Sequence, residues 1–547
     1  MARRTIWLGA LLTLSSANPA AADQVAASKL PGAEVTHVSE TSPHGDKHSH
    51  TDNLVPKQAM LLPGYGNGGF AITTAVPLAQ AYFSNGMELG SAFAHDAAIA
   101  AMKEAVRLDP SCAMCLWGQT LTEGPTINYG KDAAERAPLY RQARLAQKMA
   151  RKDGTMREQA LTKALVLRFR PGKNVDKHDR AYAQAMRQLV EAYPQDNAIA
   201  ILAADATMVA ARSEAEVGLA LPFIETVLAR APDDTPAIHF YIHASEIVGK
   251  SAQAEPHADR LAALAPKASH LVHMPSHTYY WVGRYQDAAS ANLRAVELGI
   301  ANAQELGLKG PEGVWGLPYH AHNVIFGLGG ALMAGDARTG LVLARPLVES
   351  ATAREKAHPV TQLLAAAGYF ALARFEDPSA VMALAEPKLP YLKAAWHYAR
   401  GEVQAGRGDV AGIETELAAI PATLVAPKPV SKPGRSAEEM PRAPEQMLGI
   451  IRAVLQGRAA MLQGRHADAV KAFTTAAEIE ETPDFSRFSD PPAFWYPVRR
   501  DVAVALLAAG DAAGAQRELQ ASLKLRPKDP TAFYLMREVE AALRPKN

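Results

Sequence analysis

Two histidine pairs in this chain recur at a fixed distance. His239-Phe-Tyr-Ile-His243 and His273-Met-Pro-Ser-His277 share the spacing HxxxH, and the corresponding histidines are 34 residues apart. A period of 34 residues is typical of arrays of stacked helical hairpins. Residues four apart lie on one face of a helix. We therefore expect both pairs to occupy the same position on neighbouring, parallel helices, with four imidazoles facing one another.

Turn sequences separate segments of helical periodicity along most of the chain. This alternation predicts an all-α fold, a tetratricopeptide-repeat (TPR) type α-solenoid, over residues 71–420, with a short C-terminal repeat pair over 445–547. The proline-rich stretch 421–444 is predicted to be a linker or surface loop. A second irregular insertion is expected at 301–318. The predicted inter-helix turns are at Asn85-Gly86, Gly283, Gly335, Gly464 and Gly510.

The charge balance excludes some classes of partner. Lys and Arg number 57 and Asp and Glu 56 among 547 residues, so there is no basic excess to attract nucleic acid. We instead expect a small molecule or peptide in the concave groove of the solenoid. An envelope protein is a further candidate partner.

The N-terminus has the features of an export signal. Two arginines precede an apolar run and the small residues Ala20-Ala21-Ala22, which predicts cleavage near Ala22 and secretion to the periplasm. No later apolar run is long enough for a transmembrane segment. Residues 23–70 are predicted to be a flexible segment rich in His, Gly and Pro. Its His44, His48 and His50 fit either metal collection or a solvated tail.

The two cysteines, Cys112 and Cys115, form a CxxC motif without a following histidine, which excludes covalent haem attachment. A disulfide or redox pair is one interpretation. Because no thioredoxin-like βαβ pattern surrounds them, we favour two small residues on a buried helix face.

Further polar residues extend the two histidine stripes. Aligning the turn glycines Gly283 and Gly335 places His322 at the repeat position of His270. A neutral imidazole binds zinc, copper, iron and nickel, and adjacent carboxylates ligate or orient the rings. We therefore predict a transition-metal site in the groove. The expected metal-site residues are His239, His243, Glu246, His270, His273, His277, His320 and His322.

The identity of the metal ion stays open between copper, iron and zinc. Six imidazoles would suit a coupled dicopper centre, whereas three histidines with Glu246 would suit catalytic zinc or non-haem iron. Pro275 lies inside the second HxxxH and is expected to kink its helix. Trp315 in the insertion, and Asn323, are the candidate substrate or groove contacts.

Several segments carry a resemblance to a known group of proteins. The chain resembles a family of secreted bacterial TPR proteins, which implies a helical-repeat fold but no catalytic assignment. The matching segments are 94–118, HFYIHASE (239–246), 269–296 with HMPSH, YHAHNVIF (319–326), 394–402 and FSDPPAFWYPVR (488–499).

Two functions follow from these patterns. The first is an exported metal-dependent enzyme, an oxidoreductase or hydrolase, or else a metal-handling protein. The alternative is a non-enzymatic TPR adaptor that binds a peptide or envelope protein. Its groove would depend on polar clamps such as Arg284, Asn292, Arg294 and Asn323.

Overall fold

The computed structural model of the chain describes residues 59–307, 313–424, 442–486 and 489–544. Within these ranges all the secondary-structure elements are helices, so the predicted all-α fold class is confirmed. The predicted signal peptide, His44, His48, His50 and most of the 421–444 stretch lie outside the described residues.

Most helices follow one another with short connections, and many consecutive helices pack against each other. The first part of the chain contains α1 Pro77–Ser91, α2 His95–Leu108, α3 Ala113–Thr122, α4 Ala133–Asp153, α5 Met156–Arg168, α6 Val175–Ala192, α7 Asn197–Ala210, α8 Glu214–Gly218, α9 Leu221–Arg230, α10 Thr235–Ile247, α11 Ser251–Leu264, α12 Ser269–His273 and α13 Pro275–Trp281.

The remaining helices continue the same pattern. They are α14 Tyr285–Glu305, a 3₁₀ turn at Gly313–Gly316, α15 His320–Ala334, α16 Ala337–Ala353, α17 Pro359–Phe375, α18 Pro378–Met382, α19 Pro390–Arg407, α20 Val410–Ala419, α21 Ala443–Leu462, α22 His466–Glu480, α23 Pro483–Ser486, α24 Arg499–Ala508, α25 Ala512–Leu525 and α26 Pro530–Leu543. The hairpins α21–α22 and α24–α25 lie in the segment that was predicted to be a C-terminal repeat pair. The insertion predicted at 301–318 starts later than expected, because α14 continues to Glu305.

The chain divides into two compact units. We call residues 59–278 and 294–323 the N-terminal unit, and residues 279–293 and the described residues from 324 onward the C-terminal unit. In the N-terminal unit, Phe83, Trp117 and Phe169 belong to one buried core. In the C-terminal unit, Leu519 and Leu535 belong to another.

Acidic residues begin many of the helices. The Asp196 and Asp234 carboxylates accept hydrogen bonds from backbone N–H groups in the first turns of α7 and α10. Such caps satisfy donors that have no partner within the helix and are worth about 1 kcal/mol each. The short connections between hairpins thus coincide with strong helix-start signals.

Glycines close the predicted turns because the backbone there is left-handed. Gly283, Gly335, Gly464 and Gly510 have φ between 71° and 90°, which confirms these four turns. The turn predicted at Asn85-Gly86 is wrong, since both residues lie inside α1. A Cβ on Gly86 would lie 2.8 Å from the Met102 Cε atom, so this glycine permits close helix packing instead of a turn.

The two cysteines form a disulfide, which corrects our preferred interpretation of the CxxC motif. Cys112 is the N-cap of α3 and Cys115 lies in its first turn, so the two residues do not share a helix face. Their Cα atoms are 5.3 Å apart, within the usual range for a disulfide. Both side chains are buried in the core of the N-terminal unit.

Among the described residues, no helix is both long enough and apolar enough to span a bilayer.

Candidate metal centre

The histidines of interest are carried by α10, α12, α13 and α15. On α10, His239 and His243 are one turn apart, and Asp234 and Pro236 fix where this helix begins. The α12 helix ends at His273 and α13 begins at Pro275, as expected for a proline that lacks the N–H needed inside a helix. The HMPSH motif therefore spans a helix break.

Three imidazoles form the first histidine cluster, which consists of His239, His243 and His270. The Nε2 atom of His239 lies 3.1 Å from that of His243 and 3.2 Å from that of His270. The two HxxxH histidines of α10 thus form a group of three with His270, the first histidine of α12.

Three more imidazoles form the second histidine cluster, which consists of His273, His277 and His322. The Nε2 atom of His273 lies 2.9 Å from that of His277 and 3.0 Å from that of His322. Here the helix break leaves the HxxxH pair in contact, and α15 supplies the third ring.

The two clusters are neighbours within the N-terminal unit. Ring centroids of His243 and His277 are 5.6 Å apart, and those of His270 and His273 are also 5.6 Å apart. His239, His273 and His277 are almost completely buried. Six imidazoles therefore occupy one interior region, arranged as two groups of three.

Contacts behind the rings determine which nitrogens face inward. The Nδ1 atom of His239 lies 2.7 Å from the carbonyl oxygen of Ser91, and that of His277 lies 2.7 Å from a Glu246 carboxylate oxygen. A carbonyl or carboxylate oxygen accepts, so the ring N–H is on Nδ1 in both residues. The neutral ring then presents a lone pair at Nε2, toward the other imidazoles.

Hydrogen bonds between the rings cannot account for all the close contacts between their Nε2 atoms. The neutral His239 ring has one lone pair at Nε2, yet two other Nε2 atoms lie within hydrogen-bonding distance of it. The Nε2 atom of His273 is likewise placed between those of His277 and His322. The single lone pair of His239 can accept one strong hydrogen bond, so one of its two contacts is left without one. Lone pairs that converge in this way are suited to a shared cation.

Burial keeps the first cluster neutral. Burial lowers the pKa of His239 to about 3, although the hydrogen bond to the Ser91 carbonyl oxygen opposes this shift. Burial and then the neighbouring imidazoles hold the pKa values of His243 and His270 well below their usual range. The neutral imidazole that results is the form that binds metal ions. The Nδ1 atom of His270 has no hydrogen-bond partner among the described residues.

Two aromatic residues that the sequence motifs did not indicate enclose the first cluster. The Phe93 ring stacks on His270 and His243, at centroid distances of 4.9 and 5.8 Å, and meets His239 edge-on at 4.5 Å. The Tyr319 ring lies 4.3 Å from that of His270. Both residues have a left-handed backbone, with φ of 57° and 60°. Such a conformation is rare for aromatic residues and is not encoded in a local motif.

The remaining predicted residues lie around the clusters without joining them. Glu246 orients His277 from outside, and so is not part of either triad. His320 packs edge-on against Trp315 at 4.9 Å, and burial lowers its pKa to about 4. The Asn323 amide N–H group donates to the Ser269 hydroxyl. Our prediction that His320 is a ligand of the same site receives no geometric support, because it belongs to neither cluster.

The polar clamps expected of an adaptor are mostly engaged elsewhere. The Asn292 and Asn323 side chains are buried, and the Asn292 amide N–H group donates to the Ala288 carbonyl oxygen. Arg284 pairs with Asp287. These side chains are therefore poorly placed to hold the backbone of a bound peptide.

Comparisons with known proteins give only remote similarities. No family model matches the chain, and no curated protein matches it either. Among solved structures, the APC/C hetero-tetramer Cut9-Hcn1 is 15% identical over 88% of this chain and 79% of that chain, with a TM-score of 0.29. The human IFIT1 dimer with m7Gppp-AAAA is 12% identical over 87% and 92%, with a TM-score of 0.28.

A structure described as the P58(IPK) TPR domain is also similar. It is 12% identical over 85% of this chain and 98% of that chain, with a TM-score of 0.22. Nothing about ligands or partners follows from superpositions this loose.

Proposed function

We propose that this protein binds two transition-metal ions, one in each histidine cluster, and that the pair serves an oxidoreductase reaction on a small molecule. The observation that carries the proposal is the grouping of six Nε2 atoms into two triads. Copper is our first choice of ion.

The spacing of the nitrogens matches the needs of a metal ion. Two imidazole nitrogens bound to one ion at about 2.0–2.1 Å, with bond angles between square and tetrahedral, are about 2.8–3.4 Å apart. The Nε2 pairs measure 2.9, 3.0, 3.1 and 3.2 Å. In each triad, the central histidine, His239 or His273, is therefore at a suitable distance from both of its neighbours to share one ion with them.

The kind of donor favours copper over iron. Non-haem iron sites of the facial-triad type include a carboxylate, whereas the donors of both triads are imidazoles. Copper(II) also has the highest affinity for nitrogen donors in the divalent series. A single site of three histidines also suits zinc. The experiment below therefore distinguishes copper from zinc.

The surrounding residues support this role. The Ser91 carbonyl and the Glu246 carboxylate hold the rings of His239 and His277 in the tautomer needed for ligation, and the carboxylate makes its imidazole more basic. Phe93 and Tyr319 restrict water at the first cluster. Three protein ligands leave a coordination position open, where a bound copper ion would exchange electrons with dioxygen or substrate.

Metal content measured by elemental analysis tests the proposal. The protein would be purified without a histidine tag, in a background in which His44, His48 and His50 are replaced by alanine, so that the N-terminal tract contributes no metal. We expect two equivalents of copper. His239→Ala and His273→Ala should each lose one equivalent or more while far-ultraviolet circular dichroism stays unchanged.

His257→Ala is the matched control, because His257 lies on α11 in the same unit but outside both clusters. It should retain both equivalents. If the protein contains zinc instead of copper, the proposed oxidoreductase function is wrong, because zinc has no redox chemistry. Protein that takes up none of these ions would favour the adaptor function instead.

A further inference from the structure

A large cavity lies inside the N-terminal unit, beside the first histidine cluster. Its volume is about 830 Å³, within the range of sites that bind drug-sized molecules. Most of its wall is apolar, and it includes the aromatic rings of Phe70, Phe93 and Phe240. None of the predicted metal-site residues lines it, so the cavity is a separate feature of the unit.

The cavity and the first cluster share a wall. Phe93 lines the cavity on one side and packs on three imidazoles on the other. Ser91 lines the cavity, and its carbonyl oxygen accepts the hydrogen bond from His239. Phe240 follows His239 on α10 and also faces the cavity. A molecule in the cavity would therefore be one side chain away from the first cluster.

Both arginines of the cavity wall already have carboxylate partners. Arg157 pairs with Asp196 and also lies over the Phe70 ring. Arg168 contacts Asp179 at 3.4 Å and donates to the Pro125 carbonyl oxygen. Neither guanidinium is available to a ligand without giving up an existing contact.

The wall also holds a carboxylate that has no such partner. Asp205, on α7, is half-buried and forms no hydrogen bond with any residue that the structure describes. Burial raises the pKa of its carboxyl to about 6, despite attraction to Arg168. An ionised carboxylate in a mostly apolar wall, with no hydrogen-bond donor beside it, is unfavourable, and a cationic ligand would supply both the donor and the charge.

We propose that this cavity binds an aromatic amine, with its ring against the phenylalanines and its ammonium group on Asp205. Identifying this molecule as the substrate of the histidine clusters rests on the proposed function, whereas the binding itself does not. The cavity would distinguish ligands by their charge. Asp205 would repel an aromatic carboxylate of the same size, and no arginine of the wall is free to bind it.

Tryptamine and indole-3-propionic acid test this inference, since they share a ring and a two-carbon chain but carry opposite charges. Binding of each would be measured by isothermal titration calorimetry on the full-length protein. We expect tryptamine to bind about tenfold or more tightly than the acid. Asp205→Asn should weaken tryptamine by about tenfold or more and remove the preference.

Asp233→Asn is the control, because Asp233 is an exposed carboxylate that pairs with Arg260 and does not line the cavity. It should bind tryptamine as the wild type does. Equal binding of the two probes, no binding of tryptamine, or an unaffected Asp205→Asn variant would each overturn the inference.

Metal content of the same samples separates the two proposals. Wild-type protein that a chelator has freed of metal and that still binds tryptamine would support the cavity site independently of the metal. If metal-loaded protein does not bind tryptamine, the proposed cavity site is refuted, whereas the proposed metal site is not.

Discussion

At the scale of single residues, Phe93 bears most directly on the histidine clusters. It has a left-handed backbone, with φ of 57°, although it is a buried aromatic residue. For a residue with a Cβ, this conformation costs about 1–2 kcal/mol. The contacts of its ring with three imidazoles offset that cost. The chain thus retains a strained residue at the place where the cavity and the first cluster meet.

Replacing Phe93 tests this strain directly. Phe93→Ala should destabilise the protein by about 3 kcal/mol, because it removes a buried ring. Phe93→Gly should cost about 1 kcal/mol less than the alanine variant, because glycine adopts positive φ without strain. Free energies of unfolding from urea titrations would measure both. Glycine less stable than alanine at this position would contradict the strain argument.

At the scale of helices, the end of α22 contains a second unusual residue, in the C-terminal unit. Glu480 is buried in the last turn, where its carboxylate accepts a hydrogen bond from the Val498 backbone N–H group. Burial raises its pKa to about 7, with the Val498 bond, Arg526 and Arg500 opposing and Glu481 adding to the rise. The carboxyl therefore holds its proton in the folded protein at pH values where the unfolded chain has released it.

This raised pKa predicts a pH dependence of stability. The contribution of Glu480 is fully present below about pH 4.5 and is lost as the pH rises through about 7, at up to about 1.4 kcal/mol per unit. Glu480→Gln should remove this loss, since the glutamine oxygen still accepts from Val498. Urea unfolding of each protein between about pH 4.5 and 8 would show it.

Glu478→Gln, at an exposed position two residues earlier on α22, is the control and should keep the wild-type profile. A Glu480→Gln variant that loses as much stability with rising pH as the wild type would exclude Glu480 as the cause.

At the scale of the whole molecule, the proposed ligands come from residues 239 to 322 and meet only when several helices are folded. Metal ions that bind only the folded state should therefore stabilise it, by about 2.7 kcal/mol for each site at a free metal concentration about 100 times its dissociation constant. The thermal midpoint should rise with copper, and a chelator should reverse the rise. His273→Ala should show a smaller rise, while His257→Ala should match the wild type. Equal rises in both variants would show that the stabilising ion binds elsewhere.

The sequence was sufficient to predict the all-helical fold. Turn glycines such as Gly335 and Gly464 were predicted correctly, because few residues other than glycine readily adopt the left-handed backbone conformation that ends a helix. The 34-residue offset brought His239 and His273 into one neighbourhood for a similar reason, since repeats stack in register. Where local spacing dictated the geometry, the prediction agrees with the structure.

The division of the six histidines into triads could not be inferred from spacing. The 34-residue offset predicted that the two HxxxH pairs face each other, but His270 joins the pair on α10, and His322 joins the pair around Pro275. That choice depends on how the helices pack. Phe93 and Tyr319 were missed because long-range contacts determine their backbone conformation. The Asn85-Gly86 prediction failed because the packing of Gly86 against Met102 outweighs the turn signal.

The Cys112–Cys115 disulfide has a consequence for the kind of chemistry that this protein can tolerate. The sequence contains two cysteines, and both are in this bond, so the whole chain has no free thiol. Thiolates compete with imidazoles for soft metal ions and are the side chains most readily oxidised by peroxides. A protein without free thiols can hold the proposed copper ions and not be inactivated by oxidation of a cysteine thiolate or by its binding to the metal.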